Sequence, residues 1–218
     1  AGPTQEPVDP VRFLSNRSSG KMGYAVAEAA RDRGAEVVLV SGPTALPAPR
    51  GIEILRVRTA EEMQEALAAR FDWATVLIMA AAVADFRMKA PSTKKLKKHL
   101  TTWSRLELVP TADILDVLAK RRSSQVLVGF AAETENLLPA ATDKLVRKGL
   151  DLIVANDVGR DGTGFGADHN AAVLLDRHGR TTDVGTLPKR LLADRILDAV
   201  GTLRLPGQAG PASNRGGG

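Results

Sequence analysis

The chain has 218 residues, 44% hydrophobic and 25% charged, with a formal net charge of +5. That balance is globular and excludes disordered and collagen-like classes, and the length suits one large domain. The absence of cysteine excludes a disulfide scaffold, a thiolate zinc site and a cysteine nucleophile together, and the longest apolar run, 76–84, is far short of the roughly 20 residues that span a bilayer.

In chain order, residues 1–10 read as a Pro-containing loop where an α/β chain ordinarily opens on a buried strand, so the expectation is a truncated first strand. Residues 20–33 carry a helical pattern with Gly34 as its stop. The run 37–41 (VVLVS) reads as a buried strand, 52–57 as a weaker one, and 60–70 as a helix. Further buried strands are expected at 76–82, 126–130 (VLVGF) and 152–155. Helical patterns at 112–121, 137–148 and 188–202 alternate with them, the last with Pro188 in its first turn. Residues 171–176 and 181–184 flank Arg177-His178-Gly179-Arg180 and predict a hairpin. The alternation predicts a Rossmann-like, three-layer α/β fold with a mostly parallel sheet and a C-terminal hairpin. One domain is expected over 1–203, followed by a disordered Gly/Pro/Ala/Ser tail at 204–218. With no basic-then-apolar leader, the chain is expected to be soluble and cytoplasmic, with no membrane partner.

The positive charge is local. Residues 86–106 hold no acid and seven bases: Arg87, Lys89, Lys94, Lys95, Lys97, Lys98 and Arg105. The remainder is slightly acidic, and only Phe86 and Trp103 bracket the run, so interleaved stacking aromatics for nucleic acid are absent. A solvated charged loop is the plain reading. A clamp for a polyanionic small ligand such as a nucleoside triphosphate is the sharper one.

Several segments offer chemistry. Ser15-Asn16-Arg17-Ser18-Ser19-Gly20-Lys21-Met22-Gly23 opens the first helix with small residues, which would let backbone N–H groups approach an anion. The same residues also suit a plain N-cap at Ser18 or Ser19. The dinucleotide fingerprint and the Walker spacing are both lacking, and Tyr24 has Glu28, not lysine, four residues on. His99, His169 and His178 stand alone and read as surface residues. Asp85 ends the strongest apolar run, where strand ends face a ligand crevice, or it is a turn residue. Asp113 suits helix-dipole compensation, Phe130 suits the core, and Lys144 and Lys148 share a helix face that could meet one anion or simply be solvated.

Taken together, Glu6-Pro7-Val8-Asp9-Pro10-Val11-Arg12, the 15–23 segment, Ala81-Ala82-Val83-Ala84-Asp85-Phe86, Lys95-Leu96-Lys97-Lys98, Gly129-Phe130-Ala131-Ala132-Glu133-Thr134 and LIVANDV at 152–158 resemble the phosphopantothenate–cysteine ligase family. That family is the synthetase half of bifunctional bacterial coenzyme A biosynthesis proteins, and the resemblance runs over residues 5–197.

The resemblance implies that the carboxylate of 4′-phosphopantothenate attacks the α-phosphate of CTP, with magnesium assisting, to give an acyl-cytidylate and pyrophosphate. The amine of L-cysteine then displaces CMP. By position it implies catalytic roles for Asn16, Arg12 and Lys95. It also implies nucleotide contacts from Ser18, Ser19, Gly20, Ala81, Ala82, Asp85, Lys95, Thr111, Ala112, Asp113, Ile114, Phe130, Lys144 and Lys148, with the 111–114 turn facing cytosine. Magnesium ligands are not assigned. A homodimer, and a flavin-dependent decarboxylase domain fused or associated, are expected partners; nucleic acid is not. The chain departs from the family's Gly-Gly-Thr turn by reading Ala1-Gly2-Pro3-Thr4. The rival class is a nucleotide- or nucleic-acid-binding module without catalysis, and an NAD(P) oxidoreductase is the third.

Overall fold

The computed structural model describes residues 1–97, 105–133, 136–157, 159 and 166–204. Its elements are β1 (Gln5–Pro7), β2 (Phe13–Ser15), α1 (Lys21–Asp32), β3 (Val38–Ser41), β4 (Glu53–Arg56), α2 (Ala60–Arg70), β5 (Val76–Met79), β6 (Phe86–Met88), β7 (Leu108–Pro110), α3 (Ile114–Ala119), β8 (Val126–Glu133), α4 (Leu137–Arg147), β9 (Leu152–Asp157), β10 (His169–Asp176), β11 (Thr181–Pro188) and α5 (Lys189–Arg204). The five-stranded sheet has the order β11-β10-β9-β8-β5. Within it β5, β8 and β9 run parallel, whereas β10 and β11 add the expected antiparallel hairpin.

Strand periodicity builds three layers. Val126, Val128, Leu152 and Val154 face one side of the sheet and pack with Met22 and Val26 of α1 and Leu192 and Ile196 of α5. The alternate residues Leu127, Ile153 and Ala155 face the other side, against Met63 of α2, Leu118 of α3 and Leu145 of α4. Side chains two apart point the same way along a strand, so two apolar faces need helices on both.

The parallel pair β3–β4 stands apart from the five-stranded sheet. Between β3 and β5 lies an apolar cavity of about 570 Å³, lined by Val38, Val40, Leu77 and Met79 and flanked by α1, α2 and α5. Ala1 stands at the cavity, its amine donating to the Val40 carbonyl at 2.7 Å and its carbonyl accepting from Gly42 N–H at 2.9 Å.

Four short strands escape the periodicity. β1 pairs with β2, and β6 with β7, each antiparallel over three residues. The expected long loop at 86–106 is therefore an arm whose base is the β6–β7 ladder, with residues 98–104 outside the described set. Pro188 ends β11, and α5 begins at Lys189. A strand end tolerates proline because no further ladder donor is needed there. The helix expected at 112–121 is shorter, and Asp113 is its N-cap, accepting from Asp116 N–H at 3.2 Å. The N-cap of α1 is Gly20 at φ 77°, not Ser18 or Ser19. A Cβ there would also lie 2.7 Å from the Thr44 methyl, so glycine meets both constraints. Of the tail, 205–218 lies outside the described residues.

Candidate active site

A cavity of about 510 Å³ opens beyond the carboxyl ends of the parallel strands. Met79 and the following 80–85 segment come from the end of β5, Phe130 and Ala132 from β8, and Asn156 from β9. Ligand crevices of open α/β sheets form there because strand ends release their chains to opposite faces. One wall is the start of α1, with Ser18, Ser19, Gly20 and Lys21; the other is the 111–115 turn into α3 with Lys144 and Lys148.

The cavity gathers Asn16, Ser18, Ser19, Gly20, Ala81, Ala82, Asp85, Thr111, Ala112, Asp113, Ile114, Phe130, Lys144 and Lys148, which are most of the residues singled out in the sequence. Arg12 and Lys95 are not among its lining residues. Instead the Arg12 guanidinium donates to the Leu96 carbonyl at 2.7 Å and pairs with Asp9 at 3.2 Å. Asp9 in turn accepts from Leu96 N–H at 3.1 Å. Arg12 and Asp9 thus anchor the basic arm beside Lys95, whose side chain is exposed. Lys98 and His99 fall outside the described residues.

Lys144 of α4 and Lys148, the residue that caps its C-terminus, are engaged rather than merely solvated. Lys144 Nζ donates to the Phe130 carbonyl at 2.7 Å, and Lys148 Nζ lies 2.6 Å from Asp113 Oδ2 with a side chain only 15% exposed. The Asn16 amide donates to the Val83 carbonyl at 2.8 Å, tying the chain after β2 to the chain after β5. Thr111 Oγ1 donates to the Ala84 carbonyl at 2.6 Å, and Thr111 N–H donates to the Asp85 carbonyl at 2.9 Å. Asp85 is exposed and is both a turn residue and a cavity residue. Tyr24, whose hydroxyl lies 3.1 Å from Ser41 Oγ, is core.

Residues 1–203 match the family model described as the DNA/pantothenate metabolism flavoprotein C-terminal domain. The chain belongs to that family. It is similar to the coenzyme A biosynthesis bifunctional protein CoaBC of Bacillus subtilis (strain 168), 45% identical over 93% of this chain and 50% of that protein. The CoaBC of Escherichia coli (strain K12) gives the same identity and coverage. The crystal structure of the C-terminal domain of a CoaBC superimposes with a TM-score of 0.80 at 40% identity, covering 93% of this chain and 92% of that one. The chain spans about half the length of the curated relatives it matches.

In this member of the flavoprotein C-terminal domain family, the cavity also holds residues without a sequence-based assignment. Lys21 pairs with Asp168 at 2.6 Å at the cavity edge, and that bond holds the Asp168 carboxyl below its ordinary value. Asn156 and Asn170 meet at 3.2 Å. Asn156 stands inside the LIVANDV segment, but nothing local marks its side chain as cavity-lining. Asn170 comes from the hairpin, and only strand pairing brings it there. Among the described residues, no group of three or more His, Cys, Asp or Glu side chains could hold a metal ion, and no helix is long and apolar enough to cross a membrane.

Proposed function

We propose that this chain is a phosphopantothenate–cysteine ligase of coenzyme A biosynthesis, using CTP to activate the phosphopantothenate carboxylate. The observation that carries the reading is the cavity, where two lysines, a helix start rich in small residues and a threonine-led turn surround one volume. A carboxylate oxygen attacks the α-phosphorus and pyrophosphate leaves, giving the acyl-cytidylate. The cysteine amine then attacks the acyl carbon, CMP leaves, and the amine gives up a proton.

In this reading Lys144 and Lys148 offset the charge of the triphosphate, and the Ser18–Ser19–Gly20 backbone and hydroxyls take a phosphoryl or carboxylate group. Residues 111–114 read the base. The second N–H of the Asn16 amide serves the oxygen that becomes negative when cysteine attacks. Lys95 reaches the reacting phosphoryl from the arm. Magnesium bound with a nucleotide ordinarily uses one or two carboxylates and the phosphates themselves. Asp85 fits that donor set, since it lines the cavity and no described group pairs with its carboxylate, whereas Asp113 is committed to Lys148. When bound, the ion would neutralise charge on the phosphates.

Exposed Val11, Phe13, Phe86 and Leu108, on or beside the β1–β2 and β6–β7 ladders, support a homodimer through that face. A cytoplasmic location and a decarboxylase domain in the same polypeptide or assembly complete the reading. Pyrophosphate release requiring both CTP and phosphopantothenate, with an amide product requiring cysteine, is the expected result. CTP binding without pyrophosphate would overturn it in favour of a non-catalytic nucleotide module.

A further inference from the structure

Lys189, the first residue of α5, is only 8% exposed although it carries an ammonium. Its Nζ donates to the Ala167 carbonyl, to Asn170 Oδ1 at 2.7 Å and, more weakly, to the His169 carbonyl at 3.4 Å. An ammonium has three donors and no acceptor, so the Asn170 atom facing it must be the amide oxygen. That fixes the Asn170 amide in one of its two orientations, which leaves its Nδ2 toward Asn156.

Asn170 Nδ2 donates to Asn156 Oδ1 at 3.2 Å. The register explains the meeting: Asn156 of β9 opposes Ala172 of β10, and Asn170 lies two residues before Ala172 on the same face. The Asn156 oxygen is therefore occupied, while its Nδ2 has no partner among the described residues. Both asparagines line the cavity at the strand ends, and Ala132 opposes Asn156 on its other flank.

We propose that Lys189 is a positioning residue that fixes the polarity of the Asn170–Asn156 amide chain, so that Asn156 presents an N–H donor to an acceptor oxygen of the bound substrate. The proposal rests on the ligase reading for the identity of that substrate, but the polarity itself is a property of the free protein. A neutral donor at this position suits a carbonyl, hydroxyl or phosphoryl oxygen. It rejects a group that can only donate, because two donors would then face each other.

Asn170→Asp is the decisive variant. Its carboxylate accepts from Lys189 but has no N–H, so Asn156 must turn its own Nδ2 inward and show its oxygen to the cavity. The protein should keep its fold and thermal midpoint, while kcat/KM for the coupled pyrophosphate reaction falls at least about tenfold, as expected for one lost or inverted hydrogen bond. Asn156→Leu should lose a similar factor. Lys189→Met should lower kcat/KM in the native background but add little in the Asn156→Leu background, since effects that act through one residue are not additive. Additive losses would make Lys189 merely structural and overturn the proposal, as would unchanged kcat/KM in a folded Asn170→Asp protein.

A substrate-free measurement keeps the two proposals separable. Side-chain amide hydrogen exchange of Asn156, read by NMR, should be fast in the native protein and slowed in Asn170→Asp. No change on substitution overturns the relay whatever the activity. Failure of the native protein to release pyrophosphate with slowed exchange in the variant strikes the ligase reading alone.

Discussion

Asp113 and Lys148 lie 2.6 Å apart, carboxylate to ammonium, so the start of α3 is tied to the end of α4 along one wall of the cavity. Burial pushes the Asp113 carboxyl up, but the Lys148 bond, the Asp116 N–H and the nearby Lys148 and Arg147 charges together hold it below 3.8. A depressed carboxyl contributes stability that is present above its unfolded value and lost as pH falls through its folded one. Asp113→Ala removes both the cap and the pair, a loss of about 1 kcal/mol. Calorimetry should show the midpoint lower by about 2–4 °C at pH 7. At pH 2 the difference should shrink; an equal loss at both pH values would count against the assignment.

The Asn16 amide serves structure as well as the proposed chemistry. Asn16→Asp sets a carboxylate oxygen against the Val83 carbonyl to which the amide now donates at 2.8 Å. The cost to stability should be about 1 kcal/mol, read by urea unfolding. If the same amide serves the developing oxyanion, CMP release should slow by about 10²-fold or more and acyl-cytidylate should accumulate, visible by mass spectrometry. A variant that is destabilised yet turns over normally would confine Asn16 to the Val83 contact.

Lys95 and its neighbours separate by kinetics. Lys95→Gln should depress turnover more than CTP affinity, because its contact is expected to strengthen in the transition state. Lys94→Gln and Lys97→Gln should chiefly raise the Michaelis constant, and salt should erase the difference. Arg12→Met should resemble Lys95→Gln, since it removes the donor to the Leu96 carbonyl and leaves Asp9 without its ion pair. Equal losses for all three lysines would make the arm a charge reservoir only.

Two glycines predict opposite outcomes. A Cβ at Gly42 would stand 1.8 Å from the Pro3 carbonyl oxygen, so Gly42→Ala must push residues 1–4 away from β3. A loss of about 1–3 kcal/mol is expected. Gly201 lies within α5 with nothing within 4 Å of an added Cβ. Gly201→Ala should therefore stabilise, by roughly 0.5–1 kcal/mol, through helix propensity. Denaturant midpoints measured side by side check both.

Acid sensitivity should also have a component at the arm. Burial alone would raise the Asp9 carboxyl, but N–H donors from Val11, Leu96 and Arg12, with the Arg12 charge, hold it below 3.8. Its contribution is therefore present at neutral pH and lost on descending below that value. Asp9→Asn should flatten the acid limb of the stability curve, and limited proteolysis near residue 96 should rise at pH 7.

The alternation of aliphatic strands and amphipathic helices was legible in the sequence because it depends only on local period. The 60–70 helix appears with those bounds, capped by Thr59, which accepts from Glu62 N–H at 3.2 Å. The segments at 15–23, 81–85, 111–114, 130 and 144–148 were also visible as separate motifs, and the cavity brings them together at the strand ends. What the sequence could not determine were relations between residues far apart in the chain. β1, β2, β6 and β7 span three residues each, too few to carry a period, and exist through pairing. Arg12 looked like a residue of the site, but only the fold sets it against Leu96, 84 positions away. The meeting of Asn156 and Asn170, and the buried lysine that orients them, depends on the β9–β10 register, which no local pattern encodes, because a hydrogen bond between strands is decided by their alignment rather than by either strand alone.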